Sequence, residues 1–169
     1  YASEDEIAAT VSASSVNVDD FDLKTTGLLF GFYNRIELSL AKQWLRVEPL
    51  DLTIEQHVVG AKVRLAGDTI YGTMPQLSAG VQYKRNTEAE VAFALGADDD
   101  AGVDVYIAAS KVWLDAVWGR NLALNTTLRY TDANQTGLLG FGAAGQGRAI
   151  VAETSLAIFI NRYWAAGIE

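Results

Sequence analysis

The chain alternates apolar and polar residues with a period of two, and this pattern limits its fold more than any other feature. Ile36, Leu38 and Leu40 fall in one phase, while Glu37 and Ser39 fall in the other. Successive side chains of a β-strand point to opposite faces, so this period is typical of a strand with one apolar face. The same alternation recurs in segment after segment, which predicts an antiparallel β protein.

Short turns and longer connections alternate between these segments. We predict hairpins that pair 23–32 with 36–45 and 103–114 with 122–130, and further strands at 7–18, 55–65, 76–84, 149–160 and 164–168. The turns near residues 34, 67, 119 and 161 are short or moderate, whereas the connections 46–53, 85–102 and 131–148 are longer. Bacterial outer-membrane barrels have short turns at one rim and long loops at the other. The sequence therefore predicts an all-β, antiparallel, up-and-down transmembrane β-barrel.

Strand length and aromatic placement agree with this prediction. A membrane-spanning strand needs ~9–11 residues, whereas globular strands usually have ~5–6. Large aromatic residues lie near segment ends, where they suit the girdles at a membrane surface. They are Tyr33, Trp44, Tyr83, Trp113, Trp118, Tyr130, Tyr163 and Trp164.

The two phases predict two faces of the barrel. Apolar residues expected to face lipid are Ile36, Leu38, Val59, Val63, Val81, Val105, Leu124 and Ile158. Charged residues of the other phase are expected to line the lumen: Glu37, Lys62, Arg64, Lys84, Arg129 and Glu153. In a soluble sandwich, the polar phase would instead be the solvated face, and alternation alone does not distinguish the two.

Composition excludes several classes of protein. The 169 residues carry a net charge of −8, which argues against general affinity for nucleic acid. Cysteine is absent, so the chain has neither disulfides nor thiolate metal sites. No apolar run approaches the roughly 18 residues typical of a membrane helix.

Three motifs are candidates for chemistry. The glycine spacing of 140–145 matches a dinucleotide-binding turn, but that turn needs a following helix and the pattern of residues 149–160 predicts a strand.

A group of acidic residues is a candidate site for a loosely bound cation, with Asp98, Asp100 and Asp104 as ligands. The glycine and the glutamate of an EF-hand are missing from their positions, and a solvated acidic loop is the alternative. His57 is the single histidine, and no Gly-x-Ser-x-Gly motif accompanies it. We therefore expect no catalytic residue and no cofactor.

Four stretches of the sequence resemble an uncharacterised family. They are 60–68 (GAKVRLAGD), 81–86 (VQYKRN), 98–106 (DDDAGVDVY) and 133–142 (ANQTGLLGFG). The chain resembles a proteobacterial domain of unknown function whose members are secreted and look like outer-membrane β-barrels. The resemblance implies no established activity.

Members of that family are longer than this chain at both ends. Single-chain bacterial barrels also have an even number of strands, whereas we count about nine strands in this sequence. We therefore expect one β-barrel domain over residues 1–169, incomplete at one or both ends and part of a larger barrel.

These observations favour a passive outer-membrane protein of a Gram-negative bacterium rather than an enzyme. It would be a porin-like channel for small solutes or a structural surface protein, with outer-membrane lipid and other copies of itself as partners. The alternative is a soluble or surface-assembled β-sheet protein that multimerises through its strand edges. A barrel enzyme acting on lipid or peptide would have to use His57.

Overall fold

A computed structural model describes residues 6–50, 52–94, 96–142 and 147–169. In it, nine strands form one sheet in chain order, and every neighbouring pair is antiparallel. The strands are β1 (Ile7–Val18), β2 (Phe21–Phe32), β3 (Ile36–Val47), β4 (Leu52–Ala66), β5 (Gln76–Asn86), β6 (Ala101–Val117), β7 (Arg120–Thr131), β8 (Ala149–Phe159) and β9 (Ala165–Ile168). One α-helix, α1 (Ala89–Ala94), and two 3₁₀ turns, Glu48–Leu50 and Asn134–Gly137, lie in the connections. The predicted all-β, up-and-down architecture is confirmed.

The tight turns form where residues adopt left-handed backbone conformations. Trp118 and Gly119 have φ values of 50° and 68° and join β6 to β7. Two-residue hairpin turns with positive φ at both positions match the twist of the flanking strands. Tyr33 and Asn34, both with φ of 51°, make the corresponding turn between β2 and β3.

The sheet curls into a half-barrel with distinct inner and outer faces. Residues paired directly across strands share a face, so the register assigns each side chain. On the inner face, Gln56, Ser78 and Asp104 are buried, whereas on the outer face Leu40 and Val59 are exposed. The accessible surface is 10824 Å², compared with about 8,100 Å² for a compact chain of this size. The large surface reflects a sheet that is not folded around a closed apolar core.

The connections define two rims. The loop rim carries the described residues of the connections that follow β1, β3, β5 and β7, and the turn rim carries 33–35, 67–75, 118–119 and 160–164. The two longest connections therefore lie on the same rim. Within the described ranges, β1 and β9 each pair with one neighbour only. None of the helices in those ranges has the length and apolar character needed to cross a membrane.

The predicted connection at 46–53 is too long, because β3 continues to Val47 and β4 begins at Leu52. Two apolar pairs, Leu45 with Ile54 and Val47 with Leu52, extend the ladder. Both pairs lie on the inner face, opposite to the apolar phase of the rest of β3. Likewise, the predicted connection 85–102 is shortened by β5 and β6 and contains α1.

A small apolar core explains why the polarity of the faces switches near the loop rim. Among the described residues, the buried apolar side chains are Ile54, Ala92, Ala97, Ala108, Leu138 and Phe141. Four of these six lie in residues 87–94, 96–100 and 132–142, which we call the loop cap. Ile54 precedes Glu55, whose backbone hydrogen-bonds to Thr87 and Glu88 of the cap. The amides of Asp98 and Asp99 both donate to the Phe141 carbonyl at 3.0 Å, which joins the two connections. The cap therefore covers the inner face at the loop rim.

Candidate functional site

The six charged residues predicted to line a lumen all lie on the inner face. The register pairs Glu37 with Lys62, Arg64 with Ser78 and Lys84 with Val58. Arg129 pairs with Tyr106, and Glu153 pairs with Thr127. The inner face therefore carries every residue of this set.

Asp104 is the centre of the largest charged group. Its carboxylate lies 2.8 Å from Lys84 Nζ and 3.5 Å from Arg129 Nη1, and it accepts a hydrogen bond from the Thr131 hydroxyl. Asp104 is 0% exposed and Lys84 is 7% exposed. Burying a carboxylate is costly unless cations and donors surround it, and two cations do so here.

Arg129 connects this carboxylate to the next strand. Its guanidinium donates to both carboxylate oxygens of Glu153, at 2.8 and 3.0 Å, and to Gln82 Oε1 at 2.8 Å. It also lies 5.4 Å from the centre of the Tyr106 ring. Two parallel hydrogen bonds fix the guanidinium plane, so this group is ordered across four strands.

The other inner charges form separate pairs closer to the turn rim. Lys62 forms an ion pair with Glu37. Arg64 donates to the Gly67 carbonyl through Nε and Nη2, at 3.2 and 2.5 Å, and lies 3.3 Å from Asp68. The inner face thus carries charges of both signs at two levels, one nearer the loop rim around Asp104 and one nearer the turn rim.

The polar phase of the sequence includes Asp104 and Gln82, but it does not predict that they join Arg129 and Tyr106 in one network. Spacing also makes Asp104 a candidate cation ligand with Asp98 and Asp100, whereas the structure pairs it with Gln82 on the inner face. Gly80 faces the Tyr106 ring so closely that a Cβ at that position would overlap it.

The three aspartates proposed as metal ligands are not brought together. Asp100 lies 3.4 Å from Arg85, Asp98 belongs to the loop cap, and Asp104 pairs with Lys84 and Arg129. In the part of the chain that the structure describes, no group of three or more His, Asp or Glu residues is placed to hold a metal ion. The geometry gives the metal prediction no support.

The glycine-rich motif and His57 are the two remaining candidates from the sequence. Residues 143–145 of the glycine-rich motif lie outside the described residues, while Gly140 and Gly142 have positive φ within the loop cap. The element after them is strand β8, so the helix required for dinucleotide binding does not follow. His57 is on the outer face, with its Nε2 2.9 Å from Glu55.

The outer face carries a broad apolar band between two sets of aromatic residues. All eight residues predicted to face lipid lie on it, because they share one phase through the register. Trp44, Tyr83 and Tyr130 lie toward the loop rim. Tyr33, Trp113, Trp118, Tyr163 and Trp164 lie at or near the turn rim, and Trp118 is 92% exposed.

The fold and this site define an open, antiparallel all-β meander with a charged inner face and an apolar outer face. The family model described as "Protein of unknown function (DUF3034)" matches residues 1–169. The chain belongs to this family, as the sequence motifs predicted. Comparison with curated proteins gave no match, and comparison with solved structures gave none either.

Proposed function

We propose that this chain forms the wall of an outer-membrane β-barrel that conducts small solutes passively. The observation that carries the proposal is the inverted distribution of polarity. Asp104, Lys84 and Gln56 are buried on the inner face, while Ile36, Val59 and other large apolar side chains are exposed outside. A soluble protein buries apolar side chains and exposes charges, so this arrangement suits a surface in contact with lipid.

The height of the apolar band supports the same proposal. On β7, the outer residues from Leu122 to Tyr130 span eight residue steps, and Trp113 pairs with Leu122 at the turn-rim end. Eight steps correspond to ~27 Å along the strand, or about 20 Å along a barrel axis for strands tilted by ~40°. This is close to the roughly 25 Å of the apolar band of known barrels.

The first test is the membrane partition of the full-length natural protein. We expect recovery in the outer-membrane fraction and a folded band whose gel mobility changes on boiling. A product that stays in the aqueous fraction, with no heat-dependent shift, would contradict the proposal.

The second test addresses conduction. Charge rings act at close range on ions in a pore, so reversing an inner charge should move the reversal potential measured in planar bilayers under a salt gradient. We expect Arg64→Glu and Lys62→Glu to shift selectivity toward cations. Lys24→Glu, on the outer face, is the matched control and should leave selectivity unchanged. Equal selectivity in all variants would argue for a structural surface protein.

The open edges favour a second candidate, a β-sheet protein that multimerises through β1 and β9. In the described part of the chain, β1 pairs only with β2 and β9 pairs only with β8. Exposed strand edges are templates for pairing with another chain. This candidate predicts multimers in the aqueous phase without detergent, which sedimentation of the detergent-free protein would reveal.

A further inference from the structure

Two arginines lie directly opposite each other at the turn-rim end of the inner face. Arg35 follows the turn between β2 and β3 in the phase of Glu37, and its carbonyl accepts a hydrogen bond from the Arg64 amide at 2.8 Å. This bond continues the ladder between β3 and β4 by one step beyond the pair of Ile36 and Val63. Like charges directly opposite one another repel, so this pair is unfavourable unless an anion lies against it.

Arg64 is held in place with part of its guanidinium available. Its Nε and Nη2 donate to the Gly67 carbonyl, and Nη2 lies 3.3 Å from Asp68. The Asp68 carboxylate is shared, because it also accepts hydrogen bonds from two amides of its own connection. In the part of the chain that the structure describes, no group accepts a hydrogen bond from Nη1 of Arg64.

Arg35 carries a charge that no described carboxylate neutralises. Glu37, two residues further along the same phase, forms its ion pair with Lys62. Glu6 approaches the turn through its backbone carbonyl, which accepts from the Tyr33 amide at 3.0 Å. Among the described residues, neither these carboxylates nor any other lies within ion-pair distance of the Arg35 guanidinium. The bases of the predicted lumen, in contrast, each have a carboxylate partner.

A pocket of about 570 Å³ opens at the turn rim beside the two arginines, and Tyr33 and Asn34 form part of its wall. This volume is in the range of ~300–1,000 Å³ that is typical of small-molecule sites. A cleft of about 10 Å³ shares Arg35, Arg64 and Asn34 with the pocket, and buried Ser78 lines it as well. The cleft has room for about one water molecule, so a solute would occupy the pocket. The Asn34 amide and the Ser78 hydroxyl add neutral hydrogen-bond donors to the two guanidinium groups.

We propose that this pocket binds a small organic oxyanion, with Arg35 and Nη1 of Arg64 on its carboxylate or phosphate group. The inference names the solute class of the channel proposed above, and it rests on that function. The planar fork of a guanidinium matches the paired oxygens of a carboxylate or a phosphate. Because Arg64 is already held by its connection, binding requires little further ordering of its side chain. A neutral or cationic solute would leave the two opposed charges without a counter-charge.

NMR relaxation of small probes, measured with the folded full-length protein in a nonionic detergent, tests this site. The probes are methyl phosphate, observed through ³¹P, and trifluoroacetate, observed through ¹⁹F, with trifluoroethanol as the uncharged control. Hydrogen bonds to charged groups are strong, so we expect Arg35→Gln to raise the apparent Kd of both anions about ten-fold, which corresponds to ~1.4 kcal/mol. The relaxation of trifluoroethanol should be the same in wild type and variant.

Arg162→Gln is the matched control. Arg162 is also an exposed arginine of the turn rim, but it lines neither the pocket nor the cleft. We expect this variant to bind both anions with the affinity of the wild type.

Two results would overturn the oxyanion site. One is an unchanged Kd in Arg35→Gln, and the other is an equal loss in Arg162→Gln, which would show a general attraction to the basic groups of the turn rim. Binding and conduction are separate measurements, so the two proposals can fail separately. A wild type that carries current in planar bilayers, but whose Arg35→Gln variant binds equally, refutes only the site. Folded protein that binds through Arg35 but carries no current refutes the channel and keeps the pocket as an oxyanion site.

Discussion

At the scale of single residues, Gly102 controls the contact between the sheet and the loop cap. A Cβ at this position would overlap the ring of Phe141, which is 1% exposed and has no room to move. We expect Gly102→Ala to lower the free energy of unfolding by about 1–3 kcal/mol, the usual cost of overpacking a core. Urea unfolding followed by tryptophan fluorescence in detergent measures this.

Gly60→Ala is the matched control for that substitution. Gly60 is also a strand glycine, but its added Cβ would meet the Ser39 hydroxyl at 2.5 Å, and that small side chain can rotate away. We expect a smaller loss of stability. Equal losses in the two variants would mean that the Phe141 packing does not depend on Gly102.

Asp68 gives the connection 67–75 a dependence on pH. Its carboxylate accepts hydrogen bonds from the amides of Tyr71, at 2.7 Å, and Ile70, at 2.8 Å, and these bonds lower its pKa. A carboxyl whose folded pKa is depressed contributes stability that is present above its unfolded pKa of about 3.9 and lost as pH falls through the folded value. We expect the Ile70 and Tyr71 amides to stay protected at pH 4 and to lose protection at lower pH.

Amide hydrogen exchange across an acid titration checks the Asp68 prediction. Asp68→Asn keeps the size of the side chain and removes its titration, so it should abolish the change in protection over this range. A wild-type profile with the same shape as that of Asp68→Asn would contradict the assignment.

At the scale of elements, Lys111 anchors the connection 67–75 to β6. Lys111 belongs to the outer phase and pairs with Leu124, yet it is 5% exposed. Its Nζ donates to the carbonyls of Asp68, Ile70, Tyr71 and Gly72, at 3.2, 3.4, 3.4 and 2.9 Å. The connection thus encloses a cation that would otherwise face the apolar band.

Removing this ammonium group should loosen the connection without unfolding the sheet. Hydrogen bonds to a charged group contribute about 2 kcal/mol, so Lys111→Met should speed exchange of the Val112 amide about 30-fold. That amide donates to Thr69 O at 2.7 Å. Lys24→Met, an exposed lysine on the same face, should leave it unchanged. Equal exchange rates of the Val112 amide in the two variants would show that the conformation of the connection 67–75 does not depend on Lys111.

The sequence predicted the strands well because their evidence is local. Alternation assigned the inner and outer faces and predicted a turn near residue 119, although β6 continues to Val117 and β7 begins at Arg120, beyond the predicted 103–114 and 122–130. The loop cap was not predictable in this way. Phe141 packs against Gly102, and Asn86 Nδ2 donates to the Gly137 carbonyl at 2.9 Å, so the cap depends on contacts between segments far apart in sequence. Such contacts leave no periodic signal.

One signal of the cap was present in the sequence of β3. Apolar residues occupy even positions up to Leu40 and odd positions from Leu45 onward. A change of phase within one continuous strand means that its apolar residues move from one face of the sheet to the other. Here the inner side becomes apolar under the cap, while Lys42 and Arg46 give the outer side its charges and Trp44 lies between them.

At the scale of the whole molecule, the direction of the strands limits how the sheet can close. Neighbouring strands are antiparallel throughout, so β1 and β9 run in the same direction. Closure by antiparallel pairing therefore requires an odd number of further strands between them. In lipid, every backbone amide must be paired, so the barrel proposal requires both edges to be covered.

Hydrogen exchange along β1 of the full-length protein in detergent measures this directly. Alternate amides of Ile7–Val18 point away from β2, and covered edges would make them exchange as slowly as those that face β2. Strand β5, which has a neighbour on each side, provides the internal reference. Fast exchange of every second amide in folded protein would contradict a closed barrel. Protection that disappears on dilution would instead support pairing between copies, because only an intermolecular edge depends on protein concentration.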